Sequence, residues 1–357
     1  MENYELIIIG SGPAGLTASI YASRYRIKNL VIGSQLGGAM AWASAVENYP
    51  GFERISGLEL AQKMAQQVKA LGAEIINDNV VEIQNPKSKS QNFSSKTTGL
   101  SLAEKFKITT EGGKEYGARA IILATGTRRR ELGVPGERKY LGKGVSYCAT
   151  CDAAFFRGKT VAVVGGANAA VMSADHLSRF AKKVYLIYRR KPLRAEPIWV
   201  ERVEKNPKIE IVYNTNIIRI LGKSELETQN SKSLPSGQAG KFQNKFEIRN
   251  SKFEIKEVVG GVELDNPYEG NKYLAVDGVF IEIGGVPGTE LAKKLGVEVD
   301  EKGYIKVGPD MATNVPGVFA AGDIASLHGE LQQIIIACAE GATAAFSAYR
   351  FLSKNTS

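Results

Sequence analysis

Glu5-Leu6-Ile7-Ile8-Ile9-Gly10-Ser11-Gly12-Pro13-Ala14-Gly15 is the stretch that decides the fold of this chain. Its first half is a short β-branched run suited to a strand buried in a parallel sheet, and Leu16 to Tyr25 beyond it reads as a helix. G-x-G-x-x-G between a strand and a helix is a dinucleotide-binding turn. Gly10 permits the tight turn, Gly12 lets backbone approach a pyrophosphate, and Gly15 lets the helix pack on the strand. The helix start, with Pro13 and Ala14, then offers free N–H groups to phosphates. No acidic residue stands near Gly33-Ser34 to hold a ribose 2′-hydroxyl, so this first site does not read as an NAD site.

The pattern returns in mid-chain. Thr160-Val161-Ala162-Val163-Val164 is a second strand run, followed by Gly165-Gly166-Ala167-Asn168-Ala169-Ala170 and a helical segment through Phe180. Ala167 stands at the second glycine position, where its methyl would crowd a pyrophosphate; Ala170 is an accepted small residue at the third. After the next strand run, Lys183 to Tyr188, come Arg189, Arg190 and Arg194. Guanidinium forks suit a 2′-phosphate, which favours NADPH over NADH at this second site; the bland alternative is a solvated basic strand end.

At 357 residues the chain exceeds one hydrophobic core, so two domains are expected. Val315 to Asp323 is a strand run ending in a glycine and a carboxylate, and a helical stretch from about Leu331 to Phe351 follows. With Ile121-Ile122-Leu123-Ala124-Thr125-Gly126, this implies a first domain interrupted by the second and then completed. The expected fold is α/β, two Rossmann-like (three-layer ββα) nucleotide-binding domains with the second inserted in the first. The boundaries are placed at 1–129 plus 280–357 for the first domain and 130–279 for the second. Segments 85–103 and 224–256, rich in Ser, Lys, Asn and Gln, read as low-complexity surface inserts. They carry much of the excess behind the formal net charge of +9, which argues against a nucleic-acid surface. No run of about 20 apolar residues occurs, and Met1 to Glu5 is too acidic and polar for a secretory signal, so a cytoplasmic protein without a membrane span is expected.

Cys148-Ala149-Thr150-Cys151-Asp152 lies just before the second nucleotide-binding strand. Cysteines at this spacing can close a small reversible disulfide and exchange it through a thiolate. Zinc is the rival use of C-x-x-C, but four ligands are needed and only Cys338, His176 and His328 remain, with no second pair; no metal site is expected. A purely structural pair is the other alternative. With two histidines in the chain, neither beside the cysteines, the candidate general acid is Asp152, whose bland alternative is a helix cap. Cys338, between Ile336-Ala337 and Ala339, reads as core filling.

Taken in order, Gly10 to Gly15, Val46-Glu47-Asn48-Tyr49-Pro50-Gly51, Ala124-Thr125-Gly126, Cys148 to Asp152, Arg189 to Arg194 and Gly317 to Asp323 resemble the low-molecular-weight (bacterial-type) thioredoxin reductases. The resemblance covers nearly the whole chain outside the inserts, and the dithiol followed by Asp in the inserted domain is its most specific part. It implies FAD in the first domain, NADPH in the second, a homodimer, and a thioredoxin or thioredoxin-fold protein disulfide as partner. FAD contacts would carry onto Gly10, Gly12, Pro13, Ala14, Gly15, Gly33, Ser34, Gly37, Gly38 and Asn48. They continue with Thr125, Gly126, Asp323, Gln332, Gln333 and Ile334. NADPH contacts would carry onto Gly165, Gly166, Ala167, Asn168, Ala169 and the three arginines. Cys151 would face the flavin, Cys148 would attack the partner disulfide, and Asp152 would be the acid. The resemblance also implies a rotation of one domain against the other about crossings near 127–130 and 283–288. Gly37-Gly38-Ala39-Met40 and Gln332 depart from the family pattern at the flavin site, and Ala167, Met172 and Tyr188 depart from it at the nicotinamide site; these last three keep open a dithiol oxidase or a reductase with another electron donor. A non-catalytic flavin redox sensor is the reading from a different class.

Overall fold

The computed structural model describes residues 1–85, 106–226, 257–328 and 331–354, so the inserts expected at 85–103 and 224–256 fall almost wholly outside the described residues. It divides into two compact units, Met1–Arg128 with Val286–Ser357, and Arg129–Gly285. The chain begins with β1 (Glu2–Ile9), α1 (Pro13–Arg24), β2 (Asn29–Ile32), α2 (Gly57–Ala70), β3 (Glu74–Ile76), β4 (Val80–Gln84), β5 (Phe106–Thr110) and β6 (Glu115–Leu123). β1 runs parallel to β2 on one side and to β6 on the other, with β3 parallel outside β2. β5 and β4 continue antiparallel beyond the first half of β6. Because side chains alternate along a strand, Leu6 and Ile8 pack with the alanines of α1, while Ile7 and Ile9 join Phe106 and Ile108 on the other face. Both faces are covered, which is why β1 has no polar alternation.

β7 (Thr127–Arg129) leads into the second unit, which holds β8 (Val145–Ser146), α3 (Ala149–Asp152), β9 (Thr160–Val164), α4 (Asn168–Ser178), β10 (Lys183–Tyr188), α5 (Pro197–Glu204), β11 (Ile209–Tyr213), β12 (Ile217–Gly222), β13 (Val259–Tyr268), β14 (Asn271–Ala275) and β15 (Gly278–Ile281). A parallel sheet runs in the order β11-β10-β9-β15-β8 and an antiparallel one in the order β12-β13-β14. Val161 and Val163 of β9 face the α4 and α5 side, and Ala162 and Val164 face the layer that includes Val259 and Val262 of β13. The result is a three-layer ββα arrangement around the middle sheet.

β16 (Gly285–Pro287) pairs with β7 where the chain passes back, and α6 (Glu290–Lys294), β17 (Val318–Ala320) and α7 (Ile334–Lys354) complete the first unit. β17 lies parallel to the second half of β6. Residues 280–285, expected in the first domain, lie with the second unit because β15 pairs with both β9 and β8 and buries Phe280 and Ile281 there. The final helix, expected from Leu331, begins at Ile334; its first turn closes where the Ala337 N–H donates to the Gln333 carbonyl at 3.0 Å. Helix α7 crosses α1 at Gly341, where a Cβ would come within 2.2 Å of the Ala14 carbonyl oxygen.

Candidate functional site

In the first unit the turn after β1 is shaped by contacts that tolerate no side chain. Gly10 has φ +117, and a Cβ on it would lie 2.1 Å from the Ala124 oxygen at the end of β6. At Gly15 a Cβ would lie 1.9 Å from the Gly10 oxygen. Gly12 is different: only the Gly37 oxygen, 4.0 Å away, comes near its Cβ direction, so the backbone there faces open space. It is the N-cap of α1 and has no side-chain cap. Pro13 carries no N–H, and the unbonded donors of this helix start are those of Ala14 and Gly15. Ser11 ties the loop after β2 to this turn: its hydroxyl donates to the Gln35 carbonyl at 2.8 Å, and its own carbonyl accepts from Gly37 N at 2.8 Å. Gly33, Ser34 and Gly37 lie on that loop, Ser34 exposed, and Gly38 opens the short 3-10 helix that follows.

The C-terminal half brings Asp323 to the same place. Gly322 (φ +81) approaches Ala14, a Cβ on it lying 2.9 Å from that of Ala14. Burial, with the nearby Glu340 charge second, pushes the Asp323 carboxyl up to about 6. Glu340, 4% exposed, accepts the Gly322 N–H at 2.6 Å and meets His328 Nδ1 at 2.5 Å, holding this turn to α7. The Gln332 amide donates to the Asp323 carbonyl at 3.5 Å, and the Asn48 amide donates to Gln333 at 3.0 Å, just before Ile334 opens the helix. Thr125 and Gly126 meet Gly288, through Oγ1 to its carbonyl at 3.2 Å and from its N–H at 3.2 Å. An uncapped helix start over open space beside a half-buried carboxylate suits a dinucleotide with a hydroxylated chain: N–H groups for the pyrophosphate, an acceptor for a hydroxyl.

In the second unit, Gly165 has φ +141 and its Cβ would lie 2.2 Å from the Glu282 oxygen, while at Gly166 a Cβ would lie 2.4 Å from the Tyr188 ring. Ala167 is the N-cap of α4 in an extended conformation (φ −100), which any residue adopts, and it leaves α4 without a side-chain cap. Asn168 is held by Glu196, donating to it at 3.1 Å and accepting its N–H at 2.8 Å; the Arg194 N–H donates to the Gly166 carbonyl at 2.7 Å. Ala169 is exposed in the first turn of α4. Arg189 and Arg190, just past β10, are exposed. Glu282, past β15, accepts from Ser173 at 3.1 Å and pairs with Arg129 at 3.4 Å. Burial outweighs the pull of Arg129 and pushes its carboxyl up to about 7.

The cysteines lie in the same unit, just beyond the carboxyl end of β8, and are joined as a Cys148–Cys151 disulfide with Cα atoms 5.3 Å apart. The Cys151 N–H donates to Cys148 Sγ at 3.2 Å. Cys151 is exposed, and Cys148 and Asp152 are half-buried. Ser146, 5% exposed, donates its hydroxyl to Asp152 Oδ2 at 2.6 Å and accepts the Cys148 N–H at 2.9 Å. One side chain therefore orients the acid and anchors the first cysteine. Ser146, Glu282 and Glu340 were not singled out in the sequence. Glu282 and Glu340 had a signal, an acid in an otherwise apolar run; Ser146 had none. Cys338, read as core filling, is buried at 6% exposed, near the Tyr49 hydroxyl at 3.9 Å.

The pyridine nucleotide-disulphide oxidoreductase family model matches residues 4–341. The chain is 36% identical over 353 residues to a thioredoxin reductase of Listeria innocua, covering 98% of this chain and 94% of that protein. Among solved structures, the thioredoxin reductase of Lactococcus lactis superposes with a TM-score of 0.80 at 34% identity, covering 98% and 99% of the two chains. That of T. acidophilum does so with a TM-score of 0.80 at 32% identity over 100% of both.

Proposed function

Since the chain belongs to the pyridine nucleotide-disulphide oxidoreductases, and within them to the thioredoxin reductases, we propose that it passes electrons from NADPH through FAD to Cys148/Cys151 and on to a thioredoxin-like protein. The observation that carries this reading is the Cys148–Cys151 disulfide set at the carboxyl edge of the parallel sheet that also bears the second dinucleotide turn. Hydride donor and dithiol would then share one unit.

FAD is supported by the first unit's turn: Gly12 with the N–H groups of Ala14 and Gly15 would receive the pyrophosphate, and the Asp323 carboxylate a hydroxyl of the sugar chain. Bound flavin supplies a two-electron relay between nicotinamide and disulfide. The protein's own part begins once Cys148 and Cys151 are reduced. The Cys148 thiolate attacks one sulfur of the partner disulfide, forming a mixed disulfide and expelling the other sulfur as a thiolate, which takes up a proton. The Cys151 thiolate then attacks Cys148 Sγ, closing the Cys148–Cys151 bond and releasing the second partner sulfur. Asp152, held by Ser146, is the group placed to deliver or accept the proton at these sulfurs.

NADPH is supported by Arg189, Arg190 and Arg194 after β10, where a 2′-phosphate would be met by guanidinium groups. One observation favours a different donor: the Tyr188 ring packs directly on Gly166, beside the turn that would receive the pyrophosphate. A homodimer and a cytoplasmic location complete the reading; no helix among the described residues is long and apolar enough to cross a membrane.

Anaerobic titration of the purified protein tests the proposal. NADPH should bleach the flavin absorbance in preference to NADH, and a thioredoxin-like disulfide should restore it. Cys151→Ser should keep the yellow cofactor and lose disulfide reduction. A colourless protein, or a Cys151→Ser enzyme with full turnover, would overturn the scheme.

A further inference from the structure

The second unit's sheet fixes which way a dinucleotide would lie. From β9 the chain crosses through α4 to β10 on one side, and the neighbour on the other side, β15, arrives much later in sequence. Ligands of such sheets lie outside the carboxyl ends of the strands at this reversal. Two points set the direction: the phosphate-binding turn at Gly165 to Ala170, and the arginines after β10 that suit a 2′-phosphate. The adenosine half would therefore extend over β10, and the nicotinamide half over the carboxyl end of β15. The first residue there is Glu282. Its N–H donates to the Val164 carbonyl at 2.8 Å, which fixes its backbone to the end of β9.

Resting on the reading of this crevice as an NADPH site, we propose that Glu282 is a positioning residue for the nicotinamide end, favouring the oxidised, positively charged ring over the neutral reduced one. Its side chain is 11% exposed and pairs with Arg129. Arg129 Nη1 lies 3.4 and 3.5 Å from the two carboxylate oxygens, and the Ser173 hydroxyl donates at 3.1 Å. The first two turns of α4, Asn168 to Ala174, supply no acid, and Asp175, beyond them, is paired with Arg179 at 2.8 Å. The carboxylate at this end of the crevice thus comes from the strand and not from the helix. A carboxylate in a partly desolvated cleft lowers the free energy of a cation beside it far more than it does in bulk water, and it gives nothing to a neutral ring.

Equilibrium binding to the full flavin-loaded protein tests this, at about pH 8.5, where Glu282 is ionised. Three probes are used: NADP+, the hydride-inert neutral analogue tetrahydro-NADP, and 2′,5′-ADP, which has no nicotinamide. Glu282→Gln should weaken NADP+ by about tenfold, tetrahydro-NADP by less than about twofold, and leave 2′,5′-ADP unchanged. Unchanged 2′,5′-ADP binding also reports an intact crevice in the variant. Should Glu282→Gln fail to fold, Ser173→Ala is predicted to reduce the preference for NADP+ in the same direction by about threefold, through loss of a hydrogen bond to the charged carboxylate. Equal losses for both nicotinamide probes, or none for NADP+, would overturn the inference while leaving the NADPH reading in place. Native protein that binds neither NADP+ nor 2′,5′-ADP would sink both.

Discussion

Gly341→Ala is a substitution whose sign separates local propensity from packing. Replacing glycine by alanine inside a helix normally stabilises it by about 1 kcal/mol, and Gly341 lies within the 21 residues of α7. Here the new Cβ would lie 2.2 Å from the Ala14 carbonyl oxygen, 2.9 Å from its carbon and 3.1 Å from its Cα. Carbon and oxygen settle at about 3.3 Å, so α1 and α7 must part by about 1 Å. The start of α1 has little room to give, because its next residue, Gly15, is closed against the Gly10 oxygen. The clash therefore falls at the upper end of the overpacking range, about 3 kcal/mol, and exceeds the propensity gain by about 2 kcal/mol.

Such a loss should lower the melting temperature by about 5 °C. The same displacement moves the N–H groups of Ala14 and Gly15, so flavin affinity should fall by about tenfold. Thermal melting followed by circular dichroism, with flavin content read from the visible absorbance, measures both. Thr343→Ala, on the same helix and with the same sense of propensity change, serves as the control and should not lower either. A Gly341→Ala protein that melts at or above the native temperature with full flavin would refute the packing argument.

Asp323, pushed up to about 6 in the folded chain, is neutral there over a range in which an unfolded aspartate is already charged. The folded state then binds the extra proton, so flavin-free protein should lose stability as pH rises from about 4 to 6, by up to about 3 kcal/mol, and Asp323→Asn should flatten that slope. Urea unfolding across this range decides, and parallel curves for the two proteins would refute the assignment. Ser146→Ala removes the donor to Asp152 and the acceptor for the Cys148 N–H. Thioredoxin-disulfide turnover should fall by about tenfold with flavin content unchanged, and turnover within twofold of native would remove Ser146 from the acid's positioning.

What was legible in the sequence was what repeats or punctuates. Two strand–glycine–helix units, each with small residues forced by backbone contact at Gly10, Gly15 and Gly165, fixed the fold class because no other residue fits those φ values and distances. The dithiol was legible because two sulfurs three residues apart have few other uses. Partners supplied by distant segments were not legible. Ser146 is one serine among many until β8 and α3 bring it against Asp152, and Glu340 is a lone helix acid until Gly322 and His328 meet it. The boundary at 280 missed for the same reason: a strand's membership is set by its neighbours β9 and β8, both far earlier in sequence.

The two units also show how one scaffold is given different chemistry. In each, the turn after the first strand closes on the end of the strand beside it, Gly10 against Ala124 and Gly165 against Glu282. In the first unit that neighbouring strand ends without a charge, in Ala124-Thr125-Gly126, and the acid stands one strand further out, at Asp323 past β17. In the second unit the neighbouring strand ends in an acid, Glu282, and one strand further out, past β8, stand the sulfurs. Strand interiors in both units are filled by buried, mostly aliphatic side chains, so substitutions there act on stability. The carboxyl ends differ residue by residue, and that is where substitutions should change which ligand or electron carrier each unit serves.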